Sequence, residues 1–345
     1  MNFGILGSGS WGTALAKILT DNGRQIHWWN RSQAAIDRFY QRGHNPQYLS
    51  TARFDTAKLI LTTNAADVIK NSDVIVIAIP SAFVQEVLNT LDKDIFEGKK
   101  ILSAVKGIIP QENLLLNDSL KQDFGVELEN YFAVLGPCHA EEVAAEKLSY
   151  LTFTGINEPA TIDIAKHFKN GYLNTVTNKD IYGVQYAAVL KNIYAVAAGI
   201  AHGLDYGDNF LSVLIANSAD EMAGFLRKAG IINAEVGYIE HKKNADMRAH
   251  NNYAASVYLG DLLVTCYSLF SRNRNFGNMI GKGYSVKAAQ LEMSMVAEGY
   301  NASQCMHIIN KEVGAEMPIA DTVYNILWNQ APAMEGFKKM EEALI

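Results

Sequence analysis

The sequence is poor in the residues that stabilise small secreted domains. It has three cysteines in 345 residues, Cys138, Cys266 and Cys305, and none of them belongs to a Cys-x-x-Cys pair. Scattered cysteines in odd number argue against a disulfide framework and favour a reducing compartment. The N-terminus lacks a basic segment followed by an apolar run and a cleavage site. We therefore expect no secretory signal and a cytoplasmic protein.

Positive charge is also scarce. Thirty Lys and Arg residues face 36 Asp and Glu residues, which leaves a formal net charge of −6. This balance argues against nucleic-acid partners and against an anionic membrane surface. Any anion that the protein binds must therefore be held by a local arrangement of donors.

Long apolar runs are limited to one. Residues 182–204 are nearly all apolar and about long enough to span a bilayer. The run nevertheless contains four polar side chains: Gln185, Lys191, Asn192 and His202. We interpret it as a buried core helix.

The first half of the chain alternates apolar runs with amphipathic stretches, a pattern typical of βαβ units around a parallel sheet. Buried strands are predicted at residues 3–6, 26–29, 59–61, 74–79, 101–104, 132–135 and 151–153. Helical periodicity dominates after residue 180, for example at 285–298, 303–313 and 336–344. The sequence therefore predicts an α/β protein with a Rossmann doubly wound domain at 1–180 and an all-α domain at 181–345.

A glycine-rich motif follows the first predicted strand. Gly7, Gly9 and Gly12 form a G-x-G-x-x-G pattern that opens a helix. Gly7 permits a tight turn, Gly9 allows a pyrophosphate to approach the backbone, and Gly12 allows close packing of helix and strand. The alternative is a glycine turn without a ligand. The position between a strand and a helix favours dinucleotide binding.

Cofactor preference depends on the end of the second strand. An acidic residue there would favour NAD, but the sequence has Arg31, which can stack on adenine or pair with a 2′-phosphate. The alternative is an ordinary surface arginine. NADP is admissible and NAD is not excluded.

Lys191 is the only formally charged side chain between Asp180 and Asp205. It shares a helical face with Val184, Ala188, Ala195 and Ala198. A desolvated ammonium has a lowered pKa, which suits proton exchange with a substrate oxygen. A lysine that reaches the surface from an apolar helix is an equally good interpretation on spacing alone.

Three further clusters lie near predicted strand or helix ends. They are residues 103–107, 135–143 and 259–275, and the last of these ends in Ser271-Arg272-Asn273 followed by Arg274 and Asn275. Ser, Arg and Asn before a helix can form a site for a phosphate monoester, or simply a solvated turn. His139, Glu141 and Glu142 match no strong metal pattern, so we expect no metal.

Seven motifs in order resemble the bacterial NAD(P)-dependent glycerol-3-phosphate dehydrogenases over nearly the whole chain. They are GSGSWGTALA at 7–16, SAVKG at 103–107, GPCHAEEV at 136–143, LKN at 190–192, GDLLVTC at 260–266, SRN at 271–273 and AEG at 297–299. The resemblance implies a Rossmann domain, a helical domain similar to that of 6-phosphogluconate dehydrogenase, a homodimer, and a phosphate-ester substrate.

The resemblance also implies residue roles. Lys191 would donate and accept the proton, with Lys106 and Asp261 orienting it. Cofactor contacts are expected at Gly7, Gly9, Ser10, Trp11, Gly12, Arg31, Tyr48, Lys106, Ala140, Arg272, Val296 and Glu298. Substrate contacts are expected at Lys106, Gly136, Cys138, Lys191, Asp261, Ser271, Arg272 and Asn273.

Two features depart from the family pattern. Cys138 replaces the usual small hydroxyl residue, which puts a substrate hydrogen bond there in doubt, and residues 242–258 differ from the usual glycine-rich approach to the GDL motif. The expected activity interconverts sn-glycerol 3-phosphate and dihydroxyacetone phosphate for glycerophospholipid synthesis. The rivals are a β-hydroxyacid or ketopantoate-type dehydrogenase and a non-catalytic dinucleotide-binding sensor.

Overall fold

The computed structural model describes residues 1–231, 257–293 and 295–344. Contacts divide the chain into two units. Unit 1 contains Met1–Val105 and Leu114–Ile181, and unit 2 contains Lys106–Asn113 and Tyr182–Ile345. The sequence-based division at residue 180 differs at one place, since the short segment after Val105 groups with unit 2. Most of the atypical segment 242–258 lies outside the described residues.

The described strands of unit 1 form one continuous sheet. In chain order these are β1 (Phe3–Leu6), β2 (Ile26–Trp29), β3 (Leu59–Thr62), β4 (Val74–Ile77), β5 (Lys100–Ser103), β6 (Tyr131–Leu135), β7 (Ser149–Thr154) and β8 (Leu173–Asn178). Their spatial order is β3-β2-β1-β4-β5-β6-β7-β8. The order reverses between β1 and β4, which is the switch point of a doubly wound sheet. The predicted Rossmann fold is therefore confirmed.

Helices cover this sheet, and both central strands β1 and β4 are buried at every position. The helices of unit 1 are α1 (Ser10–Asp21), α2 (Gln33–Arg42), α3 (Ala65–Lys70), α4 (Ser81–Leu88), α5 (Leu116–Phe124), α6 (Ala140–Ala144) and α7 (Glu158–Lys166). Continuous burial explains why these strands have uninterrupted apolar sequences.

The far edge of the sheet differs from the expectation of a simple parallel array. Strand β7 runs antiparallel to β6, whereas β8 returns parallel to β7. The sequence does not predict β8, because four of the six residues in LNTVTN are polar. Because β8 is an edge strand with one paired neighbour and can remain partly exposed, polar residues are tolerated in it.

The described part of unit 2 consists of helices and their connections. The helices are α8 (Ile181–Gly203), α9 (Asp208–Lys228), α10 (Leu259–Tyr267), α11 (Arg272–Gly281), α12 (Val286–Glu292), α13 (Glu298–Val313), α14 (Pro318–Trp328) and α15 (Ala333–Glu341). Helix α8 is long and apolar enough to cross a membrane, but 94% of its most apolar window is buried in the protein. The core-helix interpretation is confirmed.

One predicted helix of unit 2 is wrong in its extent. The periodicity at 285–298 predicts a single helix, whereas α12 ends at Glu292 and Met293 has an extended backbone. Helix α13 then begins at Glu298, so the predicted segment contains a helix end and a helix start. The predicted C-terminal helix is present as α15, with Phe337 and Met340 buried.

Helices α8 and α11 approach each other at glycines. A Cβ atom at Gly199 would lie 2.0 Å from the carbonyl oxygen of Arg274, and one at Gly277 would lie 2.1 Å from that of Val196. Because no side chain fits between the two backbones, the glycines set the spacing of these helices.

Candidate active site

The turn between β1 and α1 contains two glycines that the protein itself requires. Gly7 has a φ of 118°, and its Cβ would lie 2.4 Å from the carbonyl oxygen of Ala78. A Cβ on Gly12 would lie 2.2 Å from the carbonyl oxygen of Gly7. These contacts match the two packing roles that the sequence assigns to the first and third glycines.

Gly9 differs from its two partners because the protein does not need a glycine there. Its φ is −74°, and apart from its chain neighbours no described residue has an atom within 4 Å of the place where a Cβ would be. Within the described chain no side chain caps α1, and its first turn contains no acidic residue. Open space before an uncapped helix N-terminus fits a pyrophosphate approaching the backbone.

Ser10 and Trp11 begin α1, and both belong to the predicted cofactor set. Ser10 is buried and Trp11 is half-buried against the core of unit 1. The turn before them is held in place by Trp28 of β2, whose Nε1 donates to the carbonyl oxygen of Gly7 at 2.9 Å.

Arg31 follows β2 and is 74% exposed in its side chain. Its guanidinium lies 5.8 Å from the ring centroid of Phe83, and it lies 3.9 Å from the carboxylate of Glu86. Both partners are on α4. An exposed arginine beside an aromatic ring can contact adenine or a 2′-phosphate, so the position admits either cofactor.

The turn after β6 contains two predicted substrate residues with structural roles. Gly136 has a φ of 143°, and its Cβ would lie 2.9 Å from the carbonyl oxygen of Tyr150. The Sγ of Cys138 donates to the same carbonyl oxygen at 3.1 Å. The thiol therefore bonds a neighbouring strand in this structure. Ala140 is buried at the start of α6.

Lys191 is buried in unit 2 and forms an ion pair there. Its side chain is 3% exposed, and its Nζ donates to Oδ1 of Asp261 and, at 3.2 Å, to Oγ1 of Thr265. Thr265 in turn donates to the backbone carbonyl of Asp261 at 2.5 Å. Oδ2 of Asp261 is buried and has no hydrogen-bond partner within the described residues.

Burial lowers the pKa of Lys191 to about 8, with the positive charge of Lys106 acting in the same direction and Asp261 opposing both. A lysine with such a pKa can be protonated or neutral near physiological pH. Between the two sequence interpretations of Lys191, the structure therefore supports the buried group and not the surface lysine.

A chain of amide hydrogen bonds continues from Lys191 to its neighbours in unit 2. Nδ2 of Asn192 donates to the backbone carbonyl of Lys106 at 2.9 Å. Nδ2 of Asn273 donates to Oδ1 of Asn192 at 2.8 Å, and Oδ1 of Asn273 accepts from the N–H of Gly299 at 2.9 Å. This chain joins four segments of unit 2 around Lys106 and Lys191.

The SRN motif begins α11. Ser271 is its N-cap, and its hydroxyl accepts from the N–H of Arg274 at 3.3 Å. The exposed Arg272 donates to the carbonyl oxygen of Val296 at 3.5 Å, and Glu298 follows at the first turn of α13. Unit 2 therefore groups Arg272 and Val296, two predicted cofactor residues.

Comparison with known proteins identifies the family to which this site geometry belongs. The N-terminal and C-terminal family domains of NAD-dependent glycerol-3-phosphate dehydrogenase match residues 2–160 and 180–338. A glycerol-3-phosphate dehydrogenase (NAD(P)+) from Bacillus pumilus is 33% identical over 341 residues, which cover 99% of this chain and 92% of the relative.

The chain belongs to the NAD-dependent glycerol-3-phosphate dehydrogenase family.

Two further members of the family extend the likeness along the whole chain. The enzyme of that name from Staphylococcus carnosus is 32% identical over 97% of this chain and 96% of its own. The crystal structure of glycerol-3-phosphate dehydrogenase from Coxiella burnetii superposes with a TM-score of 0.85 at 27% identity, covering 99% of this chain and 98% of that one. The resemblance predicted from seven motifs is confirmed.

Two residues beside Lys191, Asn192 and Thr265, were not among the site residues predicted from the sequence. Thr265 lies four residues after Asp261, a spacing that places both on one face of α10 and that the sequence displays. Asn192 follows Lys191 directly, but its amide partners come from distant segments.

The described residues contain no group of three or more His, Cys, Asp or Glu side chains able to hold a metal ion.

The remaining predicted cofactor residue, Tyr48, lies half-buried in the segment after α2. This segment is joined to the glycine-rich turn through Asn45, a residue that no motif in the sequence singles out.

Proposed function

We propose that this protein interconverts dihydroxyacetone phosphate and sn-glycerol 3-phosphate with NADH or NADPH. The single observation that carries the proposal is the buried Lys191–Asp261 pair, with its lowered lysine pKa, in a chain of this family. A cell would use the product for glycerophospholipid synthesis.

Lys191 performs the proton transfer in the proposed reaction. When bound, the reduced nicotinamide supplies the hydride that is added to C2 of the ketone. The ammonium of Lys191 gives its proton to the carbonyl oxygen as negative charge develops there, and the product is the secondary alcohol. In the oxidation direction neutral Lys191 takes the hydroxyl proton. The Asp261 carboxylate holds the ammonium and Thr265 fixes its direction.

Other residues of unit 2 hold the substrate and support Lys191. We assign the phosphate group to Arg272 and to the N-terminal residues Ser271 and Asn273 of α11, since an arginine and a helix N-terminus both favour a dianion. The positive charge of Lys106, whose backbone is held by Asn192, lowers the Lys191 pKa and favours the neutral lysine that the oxidation needs. We also keep Gly136 and Cys138 as substrate residues, in a turn that is shaped by their contacts with the carbonyl oxygen of Tyr150.

We assign to the dinucleotide the residues that the family resemblance names. They are Gly7, Gly9, Ser10, Trp11, Gly12, Arg31, Tyr48, Lys106, Ala140, Arg272, Val296 and Glu298. The space at Gly9 and the uncapped start of α1 support the pyrophosphate assignment. We further propose a cytoplasmic homodimer.

The first test follows the absorbance of the reduced cofactor in purified protein mixed with dihydroxyacetone phosphate and either NADH or NADPH. We expect consumption that requires the phosphate ester and is absent with ketopantoate and β-ketoacids. Consumption with those acids alone would support the rival dehydrogenase, and cofactor binding without any turnover would support the sensor.

The same assay with Arg31→Ala assigns the cofactor preference. If Arg31 contacts a 2′-phosphate, this variant loses more activity with NADPH than with NADH. Equal losses would indicate adenine stacking, and unchanged rates would make Arg31 an ordinary surface residue.

A further inference from the structure

Two consecutive carbonyl groups of the glycine-rich turn are held by buried polar side chains. Nδ2 of Asn45 donates to the carbonyl oxygen of Ser8 at 2.9 Å, and Oγ1 of Thr13 donates to that of Gly9 at 2.8 Å. Across a trans peptide bond the carbonyl and the following N–H point in opposite directions. The N–H groups of Gly9 and Ser10 are therefore turned away from Asn45 and Thr13.

The Asn45 amide is the centre of this arrangement because it binds on both sides. Besides Ser8, its Nδ2 donates to Oγ1 of Thr13 at 2.8 Å. Its Oδ1 accepts from the N–H groups of Gln47 at 3.0 Å and Tyr48 at 3.2 Å. The residue is 3% exposed. One buried amide thus joins the segment that contains Tyr48 to two residues of the turn and its helix.

We propose that Asn45 is a positioning residue for the dinucleotide pyrophosphate. It orients the peptide planes of the turn so that successive N–H groups face the phosphates, and it couples this orientation to the placement of Tyr48. The inference rests on the proposed use of a dinucleotide, but it does not depend on which substrate is reduced.

Asn170 offers a matched control within unit 1. Its Oδ1 accepts from the N–H groups of Tyr172 at 3.0 Å and Leu173 at 2.9 Å, the same local turn that Asn45 makes with Gln47 and Tyr48. Leu173 begins β8 and Tyr172 directly precedes it, so both partners lie far along the chain from the glycine-rich turn. Replacing either asparagine removes one such turn, whereas only Asn45→Ala releases the carbonyl of Ser8.

The test measures binding of ADP and of AMP by titration calorimetry, since the two differ by one phosphate of the pyrophosphate. We expect Asn45→Ala to weaken ADP binding about tenfold, because the loss of about one well-placed hydrogen bond changes a dissociation constant by this factor. AMP binding should change much less. The KM for NADH or NADPH should rise accordingly, with a smaller change in kcat. Asn170→Ala should leave both affinities unchanged.

A second pair of variants keeps the proposal testable if Asn45→Ala does not fold. Thr13→Val removes the hydroxyl that Asn45 and Gly9 share and should also weaken ADP binding, whereas Thr13→Ser should restore it. Equal losses for ADP and AMP, or the same loss in Asn170→Ala, would overturn the proposal. Wild-type protein that binds ADP but does not reduce dihydroxyacetone phosphate would reject the proposed substrate and leave the Asn45 comparison valid.

Discussion

At the scale of single residues, Lys191 links the sequence to the chemistry most directly. A lone charge on an apolar helix is ambiguous, because the stem of a lysine can carry its ammonium to the surface. The structure resolves the ambiguity by burying Lys191 beside Asp261, 70 residues further along the chain. No spacing rule connects these positions, so Asp261 was predictable only through the family resemblance.

The lowered pKa of Lys191 predicts opposite pH profiles for the two reaction directions. Reduction needs the protonated lysine, so its kcat/KM should fall as the pH rises through about 8. Oxidation needs the neutral lysine, so its kcat/KM should rise over the same interval. Initial rates in both directions, measured from well below to well above this pKa, test the prediction, and Lys191→Ala should reduce turnover roughly 10²–10⁴-fold.

Lys17 provides the control for a buried lysine outside the site. It forms ion pairs with Asp21 at 2.7 Å and Glu146 at 3.0 Å in unit 1. Lys17→Met should keep both pH profiles of the wild type. If Lys191→Ala retained full activity, or if its residual activity kept the same inflections, Lys191 would not be the proton-transfer group.

Other site residues show why side-chain roles are harder to predict than their positions. Ser271 and Cys138 lie in motifs that the resemblance assigns to substrate, yet here one caps α11 and the other bonds the carbonyl of Tyr150. Asn45 gives no signal in the sequence, because an asparagine in a polar loop is ordinary. Its significance depends on partners that are 32 and 37 residues away.

At the scale of helices and strands, apolar patterning predicted strands β1 to β7 of the sheet. The pattern failed at the edge strand β8, where four of six residues are polar. It also failed between α12 and α13, where helical periodicity continues across Met293 and residues 295–297, which are not helical. Periodicity indicates which side chains are apolar, but it does not indicate where the backbone leaves the helical conformation. The sequence signal for the end of α12 was weak.

The glycine contact between α8 and α11 predicts a large effect of one methyl group. Gly277→Ala would place Cβ against the carbonyl oxygen of Val196, so the helices must separate. We expect a loss of roughly 1–3 kcal/mol in unfolding free energy, as for other overpacked cores, together with a higher KM for the phosphate substrate. Urea unfolding and steady-state kinetics measure the two effects.

Gly224 within α9 is the matched control, because apart from its chain neighbours and the backbone of α9 no described atom lies within 4 Å of the position that an added methyl group would occupy. Gly224→Ala should stabilise the protein by up to about 1 kcal/mol through helix propensity alone. Equal effects of the two substitutions would show that close packing of α8 and α11 is unimportant.

At the scale of the whole molecule, the sequence predicts the order of the two folds, a Rossmann sheet followed by helices. It does not show that Lys106–Asn113 groups with the helical unit. The strand before this segment belongs to the sheet, and no change of composition marks the point where the chain leaves it. The bond from Asn192 to the backbone carbonyl of Lys106 is one contact of this association, and the sequence does not show it.

The stability of the folded chain should also depend on one buried acid of unit 2. Glu221 on α9 accepts from the N–H groups of Ile319 at 2.7 Å and Ala320 at 3.0 Å, at the start of α14. Burial raises its pKa from 4.5 to about 7, although both N–H groups and Tyr194 oppose the rise. The carboxyl therefore releases its proton at a higher pH in the folded protein than in the unfolded chain.

This difference predicts that Glu221 destabilises the fold as the pH rises. Between pH 4.5 and 7 Glu221 binds less proton in the unfolded chain than in the folded one, so its contribution to the free energy of unfolding must fall over this interval. At about 1.4 kcal/mol per pKa unit, the full effect is about 3 kcal/mol. The side chain introduced by Glu221→Gln cannot ionise, so this variant should lose the Glu221 part of the pH dependence. Urea unfolding across the same pH interval measures the effect. The control Glu312→Gln changes an exposed residue and should keep the pH dependence of the wild type. Parallel stability curves for wild type and Glu221→Gln would mean that Glu221 has the same pKa in the folded and the unfolded chain, because its two N–H bonds offset burial.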